Sequence, residues 1–125
     1  MNLILDTHIF LWAIASPEKL TGRQREEIEQ PTNRLFLSAI SVAELMIKAS
    51  LGKLTFPFDP REAALASGIE TLPFTAEDAI RLGALPFHHR DPFDRMLIAQ
   101  AQARGFFLMT ADRQFASYDI RLSAS

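Results

Sequence analysis

Leu3-Ile4-Leu5-Asp6 decides how this chain is read. Three apolar residues in a row, with no polar alternation, suit a strand buried on both faces of a parallel sheet. A carboxylate directly after such a strand needs a partner or a cation, because burying an unpaired charge is costly. The pattern recurs twice: Leu35-Phe36-Leu37 ends in Ser38, and Phe106-Phe107-Leu108-Met109 ends in Thr110-Ala111-Asp112. Ile69–Leu72 and Ile120–Leu122 are weaker strand candidates.

Helical patterns lie between these runs. Val42, Leu45, Met46 and Ala49 follow the i, i+3, i+4, i+7 rule, as do Phe93, Met96, Leu97 and, less fully, Ala101. Thr21 with Gln24, Ser41 with Glu44, and Thr75 with Glu77 or Asp78 read as capping boxes. Asp59-Pro60 and Asp91-Pro92 each set a capping Asp before a proline at the first helical position. Gly52, Gly83 and Gly105 stand where helices should end. Strands alternating with helices predict an α/β fold, a three-layer α/β/α sandwich with a central parallel sheet. A single domain should span residues 1–125, with ligands bound beyond the carboxyl ends of its strands.

The composition, 48% hydrophobic and 22% charged, excludes a disordered chain. A net charge of −2 argues against a basic surface that coats nucleic acid. It leaves room for nucleic acid held locally by a few arginines and a metal. The absence of cysteine excludes disulfides, zinc–thiolate sites and thiol nucleophiles. No basic region precedes an apolar one at the N-terminus, and the longest apolar run, Ile9–Ala15, is too short to span a bilayer. A cytoplasmic protein with no membrane partner is expected.

Asp6 and Asp112 follow strands, while Glu44 and Asp94 are expected in the first turns of the helices after Leu35–Leu37 and after Asp91. Parallel topology brings such positions to one sheet edge. Each residue also has an ordinary explanation: Glu44 completes a box with Ser41, Asp91 caps a helix, and Asp94 and Asp112 sit at positive helix ends. Gathered together, four carboxylates repel, and no cluster of Lys or Arg in the sequence neutralises all of them. A divalent cation does, and oxygen ligands without cysteine favour Mg²⁺ or Mn²⁺. Such a site suits phosphodiester hydrolysis by water, with Glu44 the candidate to orient or deprotonate it.

The residues also match a known family. Leu3-Ile4-Leu5-Asp6-Thr7-His8 resembles the first motif of PIN-domain nucleases, specifically VapC-type toxins of toxin–antitoxin pairs. Ser41-Val42-Ala43-Glu44-Leu45 resembles the second motif. The stretch from His88 to Ala101, with His88-His89-Arg90-Asp91-Pro92-Phe93-Asp94-Arg95 at its head, resembles the third, and Thr110–Phe115 the fourth. The match runs in order along the whole chain, and the third motif is long and specific. The resemblance implies a metal-dependent ribonuclease acting on structured RNA, a homodimer, and a cognate antitoxin bound across the acidic groove. Carried over by motif, Asp6, Glu44, Asp94 and Asp112 are the catalytic, metal-holding residues. Asp94 takes the site role over Asp91 because its spacing to Ile98-Ala99-Gln100-Ala101 fits the family helix better. Asp91 then caps the helix, with an outer role at most, and Thr7 and Thr110 match hydroxyl positions beside the acidic pocket.

His88, His89, Arg90 and Arg95 cluster around the third motif, either as a solvated loop or as contacts to RNA phosphates. His8 is expected in the first helical turn, Trp12 in the core, and Phe56-Pro57-Phe58 as a loop closing over that core. A phosphatase using a strand-ending Asp wants a second Asp two residues on, where His8 stands. A receiver domain wants an acidic pair ahead of the strand-ending Asp and a later Lys at a strand end, and neither is present. Two alternatives stay open: a non-catalytic module of the same fold that binds a basic peptide, and a nuclease acting on DNA.

Overall fold

The computed structural model describes residues 1–125. β1 (Asn2–Leu5) is the middle strand of a five-stranded sheet. On one side lie β2 (Arg34–Ser38) and then β3 (Ile69–Leu72); on the other lie β4 (Phe107–Met109) and then β5 (Arg121–Leu122). Every pairing is parallel, with Leu3 in register with Leu35 and Phe107. The chain winds outward from β1 to β3 and then returns to the far side of β1 to place β4. The winding therefore reverses between β1 and β4, where α/β sheets open a crevice.

The unbroken apolar runs are explained by helices on both faces. Leu3, Leu5, Leu35, Leu37 and Met109 pack with Ile9, Phe10 and Leu45 from α1 (Thr7–Ala15) and α3 (Ala39–Ser50). The intervening Ile4, Phe36 and Leu108 pack with Leu97, Ile98 and Ala101 of α6 (Pro92–Arg104), and with Phe115. Alternate residues of a strand face opposite layers, so both layers require apolar side chains through the middle of the three central strands, and polar residues stand only at strand ends, as Asn2, Arg34 and Ser38 do. The remaining helices are α2 (Gly22–Glu29), α4 (Pro60–Ala66) and α5 (Ala76–Ile80). No helix is long and apolar enough to cross a membrane.

Several local expectations hold. Thr21–Gln24 and Thr75–Asp78 form reciprocal capping boxes, and Asp59 and Asp91 cap α4 and α6 ahead of their prolines. Gly105 ends α6 at φ +66°, a conformation that only glycine adopts cheaply. Phe56 and Phe58, 5.3 Å apart, close over the core beside α1 and α3.

Others are corrected. α3 starts three residues earlier than its Ser41–Glu44 spacing suggests, because Ser38 at the end of β2 caps it through Ile40 N–H (3.1 Å). Ser41 and Glu44 are therefore buried inside the helix, and Glu44 lies in its second turn. Met46, expected in the apolar stripe of α3, is half exposed, and Glu44 faces inward instead. Gly83 lies within a 3₁₀ turn, Arg81–Ala84, whereas Gly68 at φ +72° ends α4.

A buried ion pair fastens α5 to α6. The Asp78 carboxylate is 1% exposed and accepts from Thr75 N–H, Gln100 Nε2 and the Arg104 guanidinium at 2.9 to 3.1 Å. Burial alone would raise this carboxyl, but Arg104, Thr75 and Gln100 together hold it below its ordinary value. Asp78→Ala removes the carboxylate half of the α5 capping box and the shared acceptor of Gln100 and the partly exposed Arg104, and should cost about 2 kcal/mol in chemical denaturation. A loss below about 1 kcal/mol would show that water takes over as partner.

Candidate active site

The carboxyl ends of β1 and β4 and the amino ends of α1 and α6 converge on one patch. Asp6 caps α1 with Oδ1, accepting from Ile9 N–H at 2.8 Å, and is 5% exposed. Asp91 caps α6 with Oδ1, accepting from Phe93 and Asp94 N–H. Asp112 caps the 3₁₀ turn Arg113–Ser117 with Oδ1, accepting from Gln114 N–H at 2.9 Å. The ordinary reading of Asp91 as a helix cap is therefore correct, and Asp6 and Asp112 are caps as well, but capping accounts for one carboxylate oxygen in each. A second oxygen remains for other work.

Glu44 reaches the patch from α3. Thr7 Oγ1 donates to its Oε1 at 2.6 Å and lies 3.0 Å from Ser41 Oγ. Lys48, one turn later, donates to its Oε2 at 2.7 Å. Lys48 was legible as a helical Glu–Lys i, i+4 pair, yet no site role was read into it. Thr110 Oγ1 accepts from Asp112 N–H at 3.0 Å.

His89, Asp94 and Asp112 present ligand atoms within 4.8 Å of one another. Asp6 and Glu44 fall outside that group, though they stand close enough that their charges bear on Asp94. Burial is the largest influence on Asp94, followed by the negative charge of Asp91. Against the pull of His89, and with Glu44 and Asp6 adding to the rise, they push it from its ordinary 3.8 up to about 7. Asp6 is raised too, chiefly by burial, with Glu44 adding to the effect and Thr110, Ile9 N–H and His8 opposing it. The patch holds more negative charge than Lys48 offsets.

The basic residues of the third motif divide. His88 and Arg90 are exposed. His89 and Arg95 are buried at 9% and 8% exposure, which removes them from direct phosphate contact. Arg95 donates to Pro86 O at 2.8 Å, and also to Leu85 O, His89 O and Tyr118 Oη, with its guanidinium over the Phe87 ring. Its sequence neighbourhood could not show this, because its partners are backbone carbonyls of the preceding segment. Other cations line the clefts beside the patch. A cleft of about 850 Å³ runs from Thr110 and Asp112 past Arg113 and Lys19 to Trp12. A second, of about 330 Å³, is lined by Thr7, His8, Lys48 and Lys53.

A parallel sheet with this winding, carrying an acidic patch at its switch point, defines an α/β protein whose candidate ligand site lies there. The model of the PIN domain matches residues 3–121. Ribonuclease VapC22 of Mycobacterium tuberculosis is 32% identical over 120 residues, covering 94% of this chain and 92% of that protein. The chain belongs to the PIN domain family. Among solved structures, VapBC2 from Rickettsia felis, bound to a DNA fragment from their promoter, superposes with a TM-score of 0.74 at 20% identity, covering 98% of this chain and 96% of that one. VapBC-5 from Mycobacterium tuberculosis, of the VapBC family of toxin–antitoxin systems, superposes with a TM-score of 0.58 at 22% identity, covering 97% and 98%. At those identities the structures speak for the fold.

Proposed function

We propose that this protein is a Mg²⁺- or Mn²⁺-dependent endoribonuclease, the toxin of a toxin–antitoxin pair. One observation carries the reading: Asp94 and Asp112, distant in sequence, lie within ligand reach of one another beside His89, and the charges of Glu44 and Asp6 bear on Asp94. The 32% identical ribonuclease supports RNA as the substrate. Asp6, Asp94 and Asp112 would hold the cation, and their oxygen donors suit a hard divalent ion. Such an ion, when bound, supplies charge neutralisation at the scissile phosphate and an activated water.

The chain's own residues do the rest. Thr7 and Lys48 fix the Glu44 carboxylate, which would orient or deprotonate the attacking water. Thr110 steadies the turn that carries Asp112 by accepting from its backbone N–H. Lys19 and Arg113 in one cleft and Lys53 in the other are placed to pair with phosphates flanking the cleaved bond, with His88 and Arg90 on the outer rim. An antitoxin segment that covers the clefts would silence the enzyme, and the exposed apolar Met46, Ile47 and Leu51 on α3 suit a homodimer contact. Such a pair works in the cytoplasm.

The test is cleavage of structured RNA and of a DNA of matched sequence, with Mg²⁺, with Mn²⁺ and with chelator. RNA cleavage that disappears with chelator is expected. Millimolar divalent ion should also raise the melting temperature by several degrees, since a ligand that binds only the folded state stabilises it. A purified protein that cleaves neither polymer under any condition, and melts identically with and without ion, would favour the non-catalytic binding module.

A further inference from the structure

The grouping of His89 with Asp94 and Asp112 has the look of a His–carboxylate metal site. We propose instead that His89 is a positioning residue whose Nε2–H holds the two carboxylates for the cation and does not ligate it. This rests on the reading that the acidic patch binds a divalent ion.

The argument starts from the far side of the ring. Asp91 N–H donates to His89 Nδ1 at 3.2 Å. A nitrogen that accepts a hydrogen bond carries no proton, so the proton sits on Nε2. That N–H points at Asp112 Oδ2, 2.9 Å away, and Asp94 Oδ2 lies 3.0 Å from the same nitrogen. A protonated nitrogen has no lone pair to offer a metal. Flipping the ring would face Asp91 N–H with a carbon and strand a donor at the start of α6.

The surroundings oppose any other pose. His89 N–H donates to Tyr118 Oη at 2.8 Å, and the ring packs edge-on against Phe115 with centroids 5.8 Å apart. His89 therefore ties the cap of α6, through Asp91, to the turn that carries Asp112. Carboxylates that bind metals are oriented by outer hydrogen bonds, and losing one typically weakens metal affinity or activity about 10- to 100-fold.

Nitrogen-15 NMR of the metal-free protein reads the tautomer, and calorimetric titration with Mg²⁺ and Mn²⁺ reads affinity independently of turnover. The proton should be on Nε2 and stay there at cation saturation. His89→Ala should weaken cation binding about 10- to 100-fold. His89→Gln, whose amide also donates, should recover most of that loss, which a purely space-filling role would not explain. A proton on Nδ1, its loss from Nε2 when Mg²⁺ binds, or wild-type affinity in His89→Ala would each overturn the proposal. Wild-type protein that binds neither ion would sink the metal reading of the site. The tautomer in the metal-free protein distinguishes that failure from failure of the present inference.

Discussion

Asp94→Asn should abolish RNA cleavage and, in the absence of divalent ion, make the protein more stable at neutral pH. Both effects have one origin. Asp94 carries negative charge into a half-buried patch already occupied by Asp91, Glu44 and Asp6, and its carboxyl is pushed up to about 7. In the unfolded chain it ionises near its ordinary 3.8. Between those values the folded protein binds a proton that the unfolded chain does not. Metal-free wild type should therefore lose stability as the pH rises from about 4 to about 7, and lose no more above that. A tenfold change in proton affinity is worth about 1.4 kcal/mol, and solvent screening at this partly exposed group brings the total to about 2 kcal/mol. Asparagine has no charge to bury. The variant should melt several degrees above wild type at pH 7.5 with chelator, and close to it at pH 4. Adding Mg²⁺ should reverse the ranking, because the cation offsets the carboxylate's repulsion only where the carboxylate is present. Losing several kcal/mol of transition-state charge stabilisation corresponds to about a thousandfold in rate. An Asp94→Asn protein that cleaves RNA within tenfold of wild type would remove Asp94 from the site. A metal-free pair with equal stability at pH 7.5 would refute the crowding of charge.

The contrast between what was legible and what was not follows from the range of the interactions. The sheet and its direction were readable because burial on both faces forces unbroken apolar runs, as in Leu3–Leu5 and Leu35–Leu37, and because caps such as Thr21–Gln24 and Asp91-Pro92 are local. The start of α3 is not legible in the sequence, because Ser38 and Ser41 both have capping chemistry and only the end of β2 decides between them. Asp6, Glu44, Asp94 and Asp112 were legible as candidates from topology and family motifs. Their spacing was not, since no local rule relates residues as far apart as Asp6 and Asp112. The burial of His89 and Arg95 was hidden for the same reason. Each is fixed by partners contributed from other segments, Tyr118 and Asp112 for one and carbonyls of the 85–89 stretch for the other.

Arg95 supplies the second large effect. Arg95→Ala should destabilise the protein by about 3 kcal/mol, a sizeable share of the roughly 5–15 kcal/mol that holds an ordinary domain together. Its guanidinium is the common donor for Pro86 O, Leu85 O and His89 O, and it also meets Tyr118 Oη. Tyr118 in turn donates to Pro86 O and accepts from His89 N–H. Removing the fork leaves carbonyls near Leu85 and His89 without a donor in a place water reaches poorly, and it frees the segment that leads into α6. Arg95→Lys should rescue little, because a single ammonium cannot span carbonyls on both sides of the fork. The loosened segment carries His89 and Asp91, so cation affinity should fall along with stability although Arg95 touches no carboxylate of the patch. Arg90→Ala is the control: Arg90 is exposed, and its loss should leave the unfolding free energy within about 0.5 kcal/mol of wild type. Urea denaturation of the three variants decides the matter. If Arg95→Ala unfolds at the wild-type urea concentration, the guanidinium is dispensable to the fold. A role in phosphate contact would then have to be restored to it.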